Sequence, residues 1–574
     1  MKKMTASSRP LRWLAGIEKR QIPLLCIVVF CNVLLAASSV WFALLVRDVI
    51  DSATLSVSGS AAVDSLVSAA VLLGVLILLQ LALRFLCRFL GDRLTADCEL
   101  TLRTYLYRVL LKKEYGAIGA YHSGDLMTRL YPDVTVIADG ASTILPNVAA
   151  TLTRLVCAVG VMAFLEWRFT VLFVIGGAII FVVSRLFSGV IKRLHKQMQE
   201  ADSKARSFVQ ESFGGLLVLK VFDAEESAAA KAEALQKEHW RIRIKKKLIG
   251  ALAGVGFAAI FKIGYFAALI YCSLSLCGVI ASAAVMTYGT LMAILQLVNQ
   301  IQAPFGSLSG ILPKFYAMCA SVERLQDVEK VEEEKRGECP CENAEEFYRA
   351  LSSIQFKNIT FSYERDAVLS NASLTLNKGD FCVITGLSGI GKSTLLKLLM
   401  GVYQPTDGTI DFVGDFGRVP ISSRADGLFA YVPQGNLLFS GTIRENISFV
   451  RADATDEEIL QAAQTACVTD FLDDLPEGLD TVIGEKGFGL SEGQVQRIAI
   501  ARALLHGAPI LLLDESTSAL DEETERRLLS SLAALKEKTL IIISHKKAAF
   551  EICDCQIEIS EQRMEKKELI HEPK

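Results

Sequence analysis

Ahead of Gln302 the chain is dominated by apolar segments long enough to cross a bilayer. Such a segment has one stable solution on its own: in lipid every backbone N–H and C=O must find a partner within the segment, so it forms a helix. Six spans are read, at Ile22–Val46, Leu66–Leu86, Leu145–Leu165, Thr170–Phe187, Leu248–Tyr271 and Leu276–Leu297. Hydrophobic residues make up 51% of the 574 and charged residues 21%, too apolar a balance for an ordinary soluble enzyme and enough chain for several domains. Beyond Val322 the composition becomes that of a soluble α/β domain, reached through a charged stretch, Glu329–Glu338, followed by Cys339-Pro340-Cys341. The expected division is an interfacial segment over 1–21, a membrane domain over 22–322, a linker over 323–350 and a soluble domain over 351–574.

Loop lengths and charges set the orientation. The turns after the first, third and fifth spans are short, whereas those after the second and fourth are long and basic. The second-span loop carries Arg88, Arg93, Arg103, Arg108, Lys112, Lys113 and Arg129; the fourth-span loop carries Lys192, Arg193, Lys196, Lys204, Arg206 and Lys245 to Lys247. The positive-inside rule places both in the cytoplasm, with the N-terminus and its Lys2, Lys3, Arg9, Arg12, Lys19 and Arg20. An even number of spans then puts the C-terminal domain there too, in an inner or plasma membrane protein. The first span is expected to be retained, being too long and too late for a cleaved signal. Leu11–Ile22 fits either an amphipathic helix at the inner interface, with Trp13 as anchor, or a solvated basic tail. Most of the 14 cysteines are expected to stay reduced, only Cys272 and Cys277 lying where oxidising conditions could reach them, and the two C-x-C pairs, Cys339/Cys341 and Cys553/Cys555, lack the histidines of a metal site.

The soluble domain carries phosphate chemistry. Gly386-Leu387-Ser388-Gly389-Ile390-Gly391-Lys392-Ser393-Thr394 fits G-x-x-x-x-G-K-[ST] and lies between an apolar strand, Phe381–Thr385, and the start of a helix at Lys392. Backbone N–H groups of such a loop, with the helix N-terminus, cradle phosphate oxygens, and glycine lets the chain approach the anion closely. Lys392 would meet the β- and γ-phosphates of ATP, and Ser393 would ligate Mg²⁺. A second apolar strand, Ile510–Leu513, delivers Asp514 to the Mg²⁺ side, where a hard cation takes oxygen ligands. Glu515, one residue on, suits a carboxylate polarising the lytic water, and the imidazole of His545 a contact to the γ-phosphate.

In this order and spacing the motifs resemble the nucleotide-binding domain of ABC transporters, nearly end to end, and with the six spans the whole chain is similar to an exporter-type half-transporter of that family. The resemblance implies a helical transmembrane domain followed by an α/β P-loop NTPase domain of ABC type. It also implies ATP and Mg²⁺ as cofactors, and two halves that sandwich two ATP molecules head to tail while the spans alternate in access. Tyr363 falls where the family stacks an aromatic ring on adenine, and Gln434, in Val432-Pro433-Gln434, where a glutamine joins Mg²⁺ and the attacking water. Leu490-Ser491-Glu492-Gly493-Gln494, followed by Val495-Gln496-Arg497, matches the signature that closes over the partner's ATP, with Ser491, Gly493 and Gln494 as contacts. Ser518-Ala519-Leu520-Asp521 matches the D-loop, and Ser544-His545 the switch histidine. Glu492 departs from the usual glycine and puts a carboxylate near a triphosphate, which implies modest weakening. Gly124–Leu130 with Asp133, and Glu211 through Gly215 with Lys220, Phe222 and Glu225, resemble the two coupling helices.

The transported solute leaves fainter traces. Arg154 and Lys262 each fall near the midplane of the bilayer, counting about 1.5 Å per residue from the ends of their spans. Ionisable groups at that depth face a cavity or a partner, or else snorkel. Asn32, Gln80, Gln296, Asn299 and Gln300 add polar groups. The expected activity is ATP-driven export of a small or amphipathic solute, a drug, peptide or conjugate, with anionic character if the cations line the path. Lipid or lipid-linked glycan flipping, siderophore import by an exporter-shaped protein, and ATP-switched sensing without transport stay open. The default partner is an identical half, a different one staying open because of Glu492. The spans exclude a soluble nucleic-acid-handling ATPase.

Overall fold

The computed structural model describes residues 8–55, 60–119, 121, 123–279, 286–334, 336–363, 366–435, 438–484, 489–535 and 537–569. The chain forms two compact units, Met1–Val109 with Ser123–Lys330 and Leu110–His122 with Val331–Lys574.

Six long helices make the first unit: Ile22–Leu55, Ser60–Leu111, Val134–Leu165, Trp167–Gly214, Glu225–Leu276 and Tyr288–Glu329. The second and fifth run 52 residues, about 78 Å at 1.5 Å per residue and far beyond a bilayer core of about 30 Å. Each therefore continues as a polar helix outside the membrane. Among the described residues four stretches are long and apolar enough to cross a membrane, Ile22–Thr54, Val63–Leu111, Ser123–Leu165 and Glu225–Leu276. Val71, Leu78, Leu81 and Phe85 stay exposed on the second, the surface that lipid covers. The expected sixth span needs correction. The helix before it stops at Leu276, where Gly278 adopts φ +77° and Val279 N–H donates back to Leu274. The next begins at Tyr288, with the Thr287 side chain accepting from Thr290 N–H. Residues 280–285 of that expected span lie outside the described residues.

Helix packing uses apolar and polar contacts. Val40, Ala43, Met162, Ala268, Ile294 and Val298 join four helices in one core. Two residues read from sequence as cavity groups tie helices together instead: Gln80 donates to Ser38 O at 3.0 Å and Gln300 to Ser39 O at 2.6 Å. Near the N-terminus the helix Ser8–Ile17 forms, so of the two readings for that segment the helical one holds, ending earlier than expected. Its Leu14 packs on Leu102, Leu106, Ile137 and Met318, and Trp13 donates to Glu329. The stretch Gly124–Leu130, expected to couple the units, lies in the membrane unit beside buried Asp133, which accepts from Ser321 at 2.9 Å and from Arg324 Nε at 2.8 Å. Leu110–His122, with its short helix Tyr115–Gly119, belongs to the soluble unit.

The soluble unit has a six-stranded sheet in the order Arg563–Glu568, Cys555–Ser560, Phe381–Gly386, Thr539–Ile543, Ile510–Asp514 and Phe429–Val432. All neighbours are parallel except the first pair. Parallel strands are covered on both faces. Leu511 and Leu513 face the core built with the helices Glu492–His506 and Glu522–Ala533, while Ile510 and Leu512 face the core shared with a four-stranded antiparallel sheet. Cys382 and Cys555 are register partners on adjacent strands, Cα–Cα 4.8 Å, and are joined as a disulfide, contrary to the expectation that thiols of the soluble domain stay reduced.

Candidate nucleotide site

The site forms at the C-terminal ends of three parallel strands. Phe381–Gly386 leads into the loop, and Gly386, Gly389 and Gly391 take φ +147°, +81° and +108°. At Gly391 a Cβ would come within 2.1 Å of Val368 Cγ1, so both conformation and space require glycine. The helix Lys392–Leu399 starts there, pointing unpaired N–H groups into the loop. Lys392, buried, donates to Gly386 O at 3.0 Å and Leu387 O at 3.2 Å, so its ammonium is held inside the loop that a phosphate would fill. Leu387, Ser388 and Ile390 complete the turn, Ile390 N–H donating to Leu387 O. Thr394 shares a 3.1 Å hydrogen bond with the Tyr363 hydroxyl. Tyr363 is 40% exposed, and its ring lies nearly perpendicular to those of Phe361 and Tyr403.

Asp514 ends its strand 1% exposed. Ser393 Oγ donates to one carboxylate oxygen at 3.0 Å and Tyr431 to the other at 2.9 Å. Burial pushes the Asp514 carboxyl above its ordinary value and the nearby Glu515 adds to this, while the Tyr431 and Ser393 hydrogen bonds oppose it. The adjacent hydroxyl and carboxylate are oxygen donors of the kind Mg²⁺ takes. Glu515 leaves the strand with φ +49°, an unfavourable conformation for a side-chain-bearing residue, and accepts from Gln434 Nε2 at 2.6 Å. The expected Gln434 and Glu515 are thus brought together. His545 is exposed, just past the strand Thr539–Ile543.

The signature residues stand apart from the loop. Ser491 caps the helix Glu492–His506: its side chain accepts from Gln494 N–H, and Gln494 accepts in return from Ser491 N–H at 2.8 Å. Gly493 fits because a Cβ would approach Ala519 O to 3.0 Å. Glu492 is exposed in the first helical turn. Among the described residues no hydrogen bond or ion pair links Ser491, Gly493 or Gln494 to Gly386–Thr394 of the same chain. Asp521 caps the helix Glu522–Ala533, and the Thr524 N–H it accepts holds its carboxyl low.

Two contributors, Tyr431 and Lys546, went unread in the sequence, and a third, Gln496, was read only as part of the run that follows the signature. Tyr431 reaches Asp514 only because Phe429–Val432 is the neighbouring parallel strand. Gln496 donates to Ser518 and accepts from Ala519 N–H, fastening the D-loop to the signature helix. Lys546 donates to Thr517 O at 2.8 Å and Leu520 O at 2.7 Å, beside buried Glu525. A basic residue next to His545 was the available signal.

In the membrane unit Arg154 is half-buried, with no hydrogen-bond partner for Nε, while Lys262 is exposed with its ammonium 5.8 Å from the Tyr265 ring centre. Nothing among the described contacts joins the two cations.

Comparison with known proteins gives the family. The profile of the ABC transporter transmembrane region matches residues 23–305 and that described as ABC transporter matches 369–518. A probable ABC transporter ATP-binding/permease protein of Haemophilus influenzae is 30% identical over 497 residues, 84% of this chain and 86% of that one. An ATP-dependent lipid A-core flippase of Syntrophus aciditrophicus is 29% identical over 82% of this chain and 76% of its own length. Among solved structures, a bacterial Atm1-family ABC exporter with ATP bound superposes with TM-score 0.77 at 24% identity, covering 96% of both chains, and so shares the fold. With a helical transmembrane domain and one ATPase domain in a single chain, this protein belongs to the ABC transporters, as a membrane-embedded half-transporter that couples ATP hydrolysis to transport.

Proposed function

We propose that two copies of this chain export an amphipathic solute bearing negative charge, with the ATPase domains on the cytoplasmic side of an inner or plasma membrane. The observation that carries the substrate class is Arg154, a guanidinium within an apolar helix whose Nε lacks a partner. A cation so placed favours an anion in its vicinity, and a dimer doubles it. Lys262 supplies a second charge. The relatives named lipid A-core flippase favour a lipid as one form of that solute.

The energy-coupling roles follow from the site. Lys392 and the loop N–H groups bind the phosphates, Tyr363 stacks on adenine, and Ser393, Asp514 and Gln434 hold Mg²⁺, which supplies charge neutralisation on the phosphates. Glu515, aimed by Gln434, orients water, and His545 contacts the γ-phosphate. The free N-terminus of the signature helix, Ser491 to Gln494, serves the nucleotide of the second copy. The exposed apolar tip Phe213, Leu217, Val221 and Phe222 supports an assembly that covers it.

The test is Mg²⁺-dependent hydrolysis by this chain alone in nanodiscs. Turnover should vanish in Glu515→Gln and be stimulated by anionic but not cationic amphiphiles, with stimulation lost in Arg154→Ala. Equal stimulation by both charges would remove the substrate class, and headgroup-specific stimulation would mark lipid flipping. A folded, ATP-binding chain with no turnover would point to a different second half.

A further inference from the structure

Where the N-terminal helix Ser8–Ile17 turns into the first membrane helix, the membrane unit encloses a cavity of about 430 Å³. Its walls are apolar, from Leu14, Leu25, Leu94, Ile144, Phe315 and Met318. The volume falls in the range of roughly 300–1,000 Å³ typical of small-molecule sites. Two polar side chains line it, Glu18 and Gln21, both in the turn between the helices. Glu18 is 7% exposed, and neither its Oε1 nor Gln21 Oε1 has a hydrogen-bond partner. Gln21 spends its amide N–H on Thr101 at 2.7 Å, which fixes its oxygen as a free acceptor. Burial raises the Glu18 carboxyl above its ordinary range, opposed by a hydrogen bond from the Cys98 thiol. Among the described residues no cation lines the cavity to satisfy the carboxylate.

Two buried acceptors without donors are a costly arrangement unless something donates to both. Of the common head groups, an ammonium does this best: it carries several N–H bonds and opposite charge, and charge-assisted bonds are the strong ones. The apolar walls require a hydrocarbon body behind it. We propose that this cavity binds an amphipathic primary amine, its ammonium donating to Glu18 Oε1 and Gln21 Oε1 and its chain lying among Leu14, Leu94, Ile144 and Phe315. Ile22 and Leu25, at the start of the first span, line the cavity, so both a membrane lipid with a primary amine head and a free alkylamine present the shared chemistry. This site is separate from Arg154 and carries the opposite charge, so it does not rest on the transport reading.

The experiment uses the full chain in phosphatidylcholine nanodiscs, with dodecylamine as probe and dodecyltrimethylammonium and dodecanol as controls of the same length, followed by native mass spectrometry. Saturable binding of one dodecylamine per chain is expected, about tenfold or more tighter than either control, and weakened at least about tenfold in Glu18→Gln. Val148→Trp, which fills the cavity from its wall without touching the acceptors, should abolish binding, and it keeps the test intact if Glu18→Gln does not fold. A parallel arm purifies the chain from bilayers containing phosphatidylethanolamine. Selective retention of that lipid by the parent chain, lost in both variants, identifies the lipid source; dodecylamine binding without lipid retention identifies the free amine. Dodecylamine binding no tighter than dodecanol, or unchanged in Val148→Trp, overturns the proposal.

Discussion

Replacing Lys546 by Met tests whether the turn after Glu515 is held from the switch-histidine segment. The methionine keeps most of the aliphatic stem and removes the ammonium. Lost with it are bonds to Thr517 O at 2.8 Å and Leu520 O at 2.7 Å, and the cation 3.4 Å from Glu525 Oε2. Glu525 is 0% exposed and keeps only Thr517 Oγ1, at 2.7 Å, on its other oxygen. Removing one partner of a buried pair costs about 3–5 kcal/mol. The Lys546 side chain is 34% exposed, so water partly replaces it, and the expected cost is discounted to about 2–3 kcal/mol. At 1.4 kcal/mol per decade that is roughly thirty- to hundredfold in the local opening equilibrium. Amide hydrogen exchange of the peptide Glu515–Asp521, measured in nanodiscs, reads this opening directly. Protection should fall by that factor, and ATP turnover should fall with it, since Glu515 enters the same turn. Adding Glu525→Gln removes the stranded charge and should restore at least half of the lost free energy. Protection within threefold of the parent, or a double variant whose losses simply add, would refute the coupling.

Three other perturbations follow from the geometry. Gly391→Ala should abolish nucleotide binding without unfolding the distant sheet edge, because the new Cβ meets Val368 Cγ1 in a backbone conformation at φ +108°; fluorescent ATP binding reads this. Glu492→Gly should raise turnover less than about tenfold by removing a carboxylate from the signature, while costing the helix about 0.3–1 kcal/mol of favourable dipole interaction; unchanged ATP affinity and turnover would dismiss any repulsion. His506 is held below its ordinary 6.5 by burial, with Lys538 adding to the shift. Its unfolded form takes up the proton first, so its contribution is complete above that value and is lost as pH falls through it. His506→Gln should flatten the fall in melting temperature between about pH 7 and 5.5.

What could be read from the chain and what could not divide along one line. The phosphate loop, Gly386–Thr394, is contiguous, and its function resides in backbone conformation that glycine spacing encodes directly, so every member was legible. Asp514 and Glu515 were legible because a buried strand delivers whatever follows it to the sheet's end. Tyr431, Lys546 and the Cys382–Cys555 pair were not, because each depends on which strand lies beside which; Cys382 and Cys555 are 173 residues apart and meet only through register. The start of the sixth span was misplaced for a different reason. Averaged hydropathy runs smoothly through Leu276–Leu297, while the chain breaks on Gly278 and restarts on the Thr287 cap, two local signals that an average erases.

The same distinction applies within the ATPase motifs, whose signature residues make no hydrogen bond or ion pair to the phosphate loop of the same chain among the described residues. Ser491 and Gln494 satisfy each other across the start of their helix, so the N-terminus is well formed without nucleotide. Gln496 ties that helix to Ser518 and Ala519, and Lys546 ties the following turn to the segment bearing His545. A phosphate reaching the signature would therefore meet an element already linked, through short polar contacts, to Glu515 on its own chain. If two copies bind head to tail, nucleotide held on one chain's loop presses on the catalytic turn of the other. Cooperative hydrolysis then requires no contact beyond those the single chain already makes. Lys546→Met in one copy of a tandem-linked dimer should lower hydrolysis at both sites, whereas independent sites would lose only half.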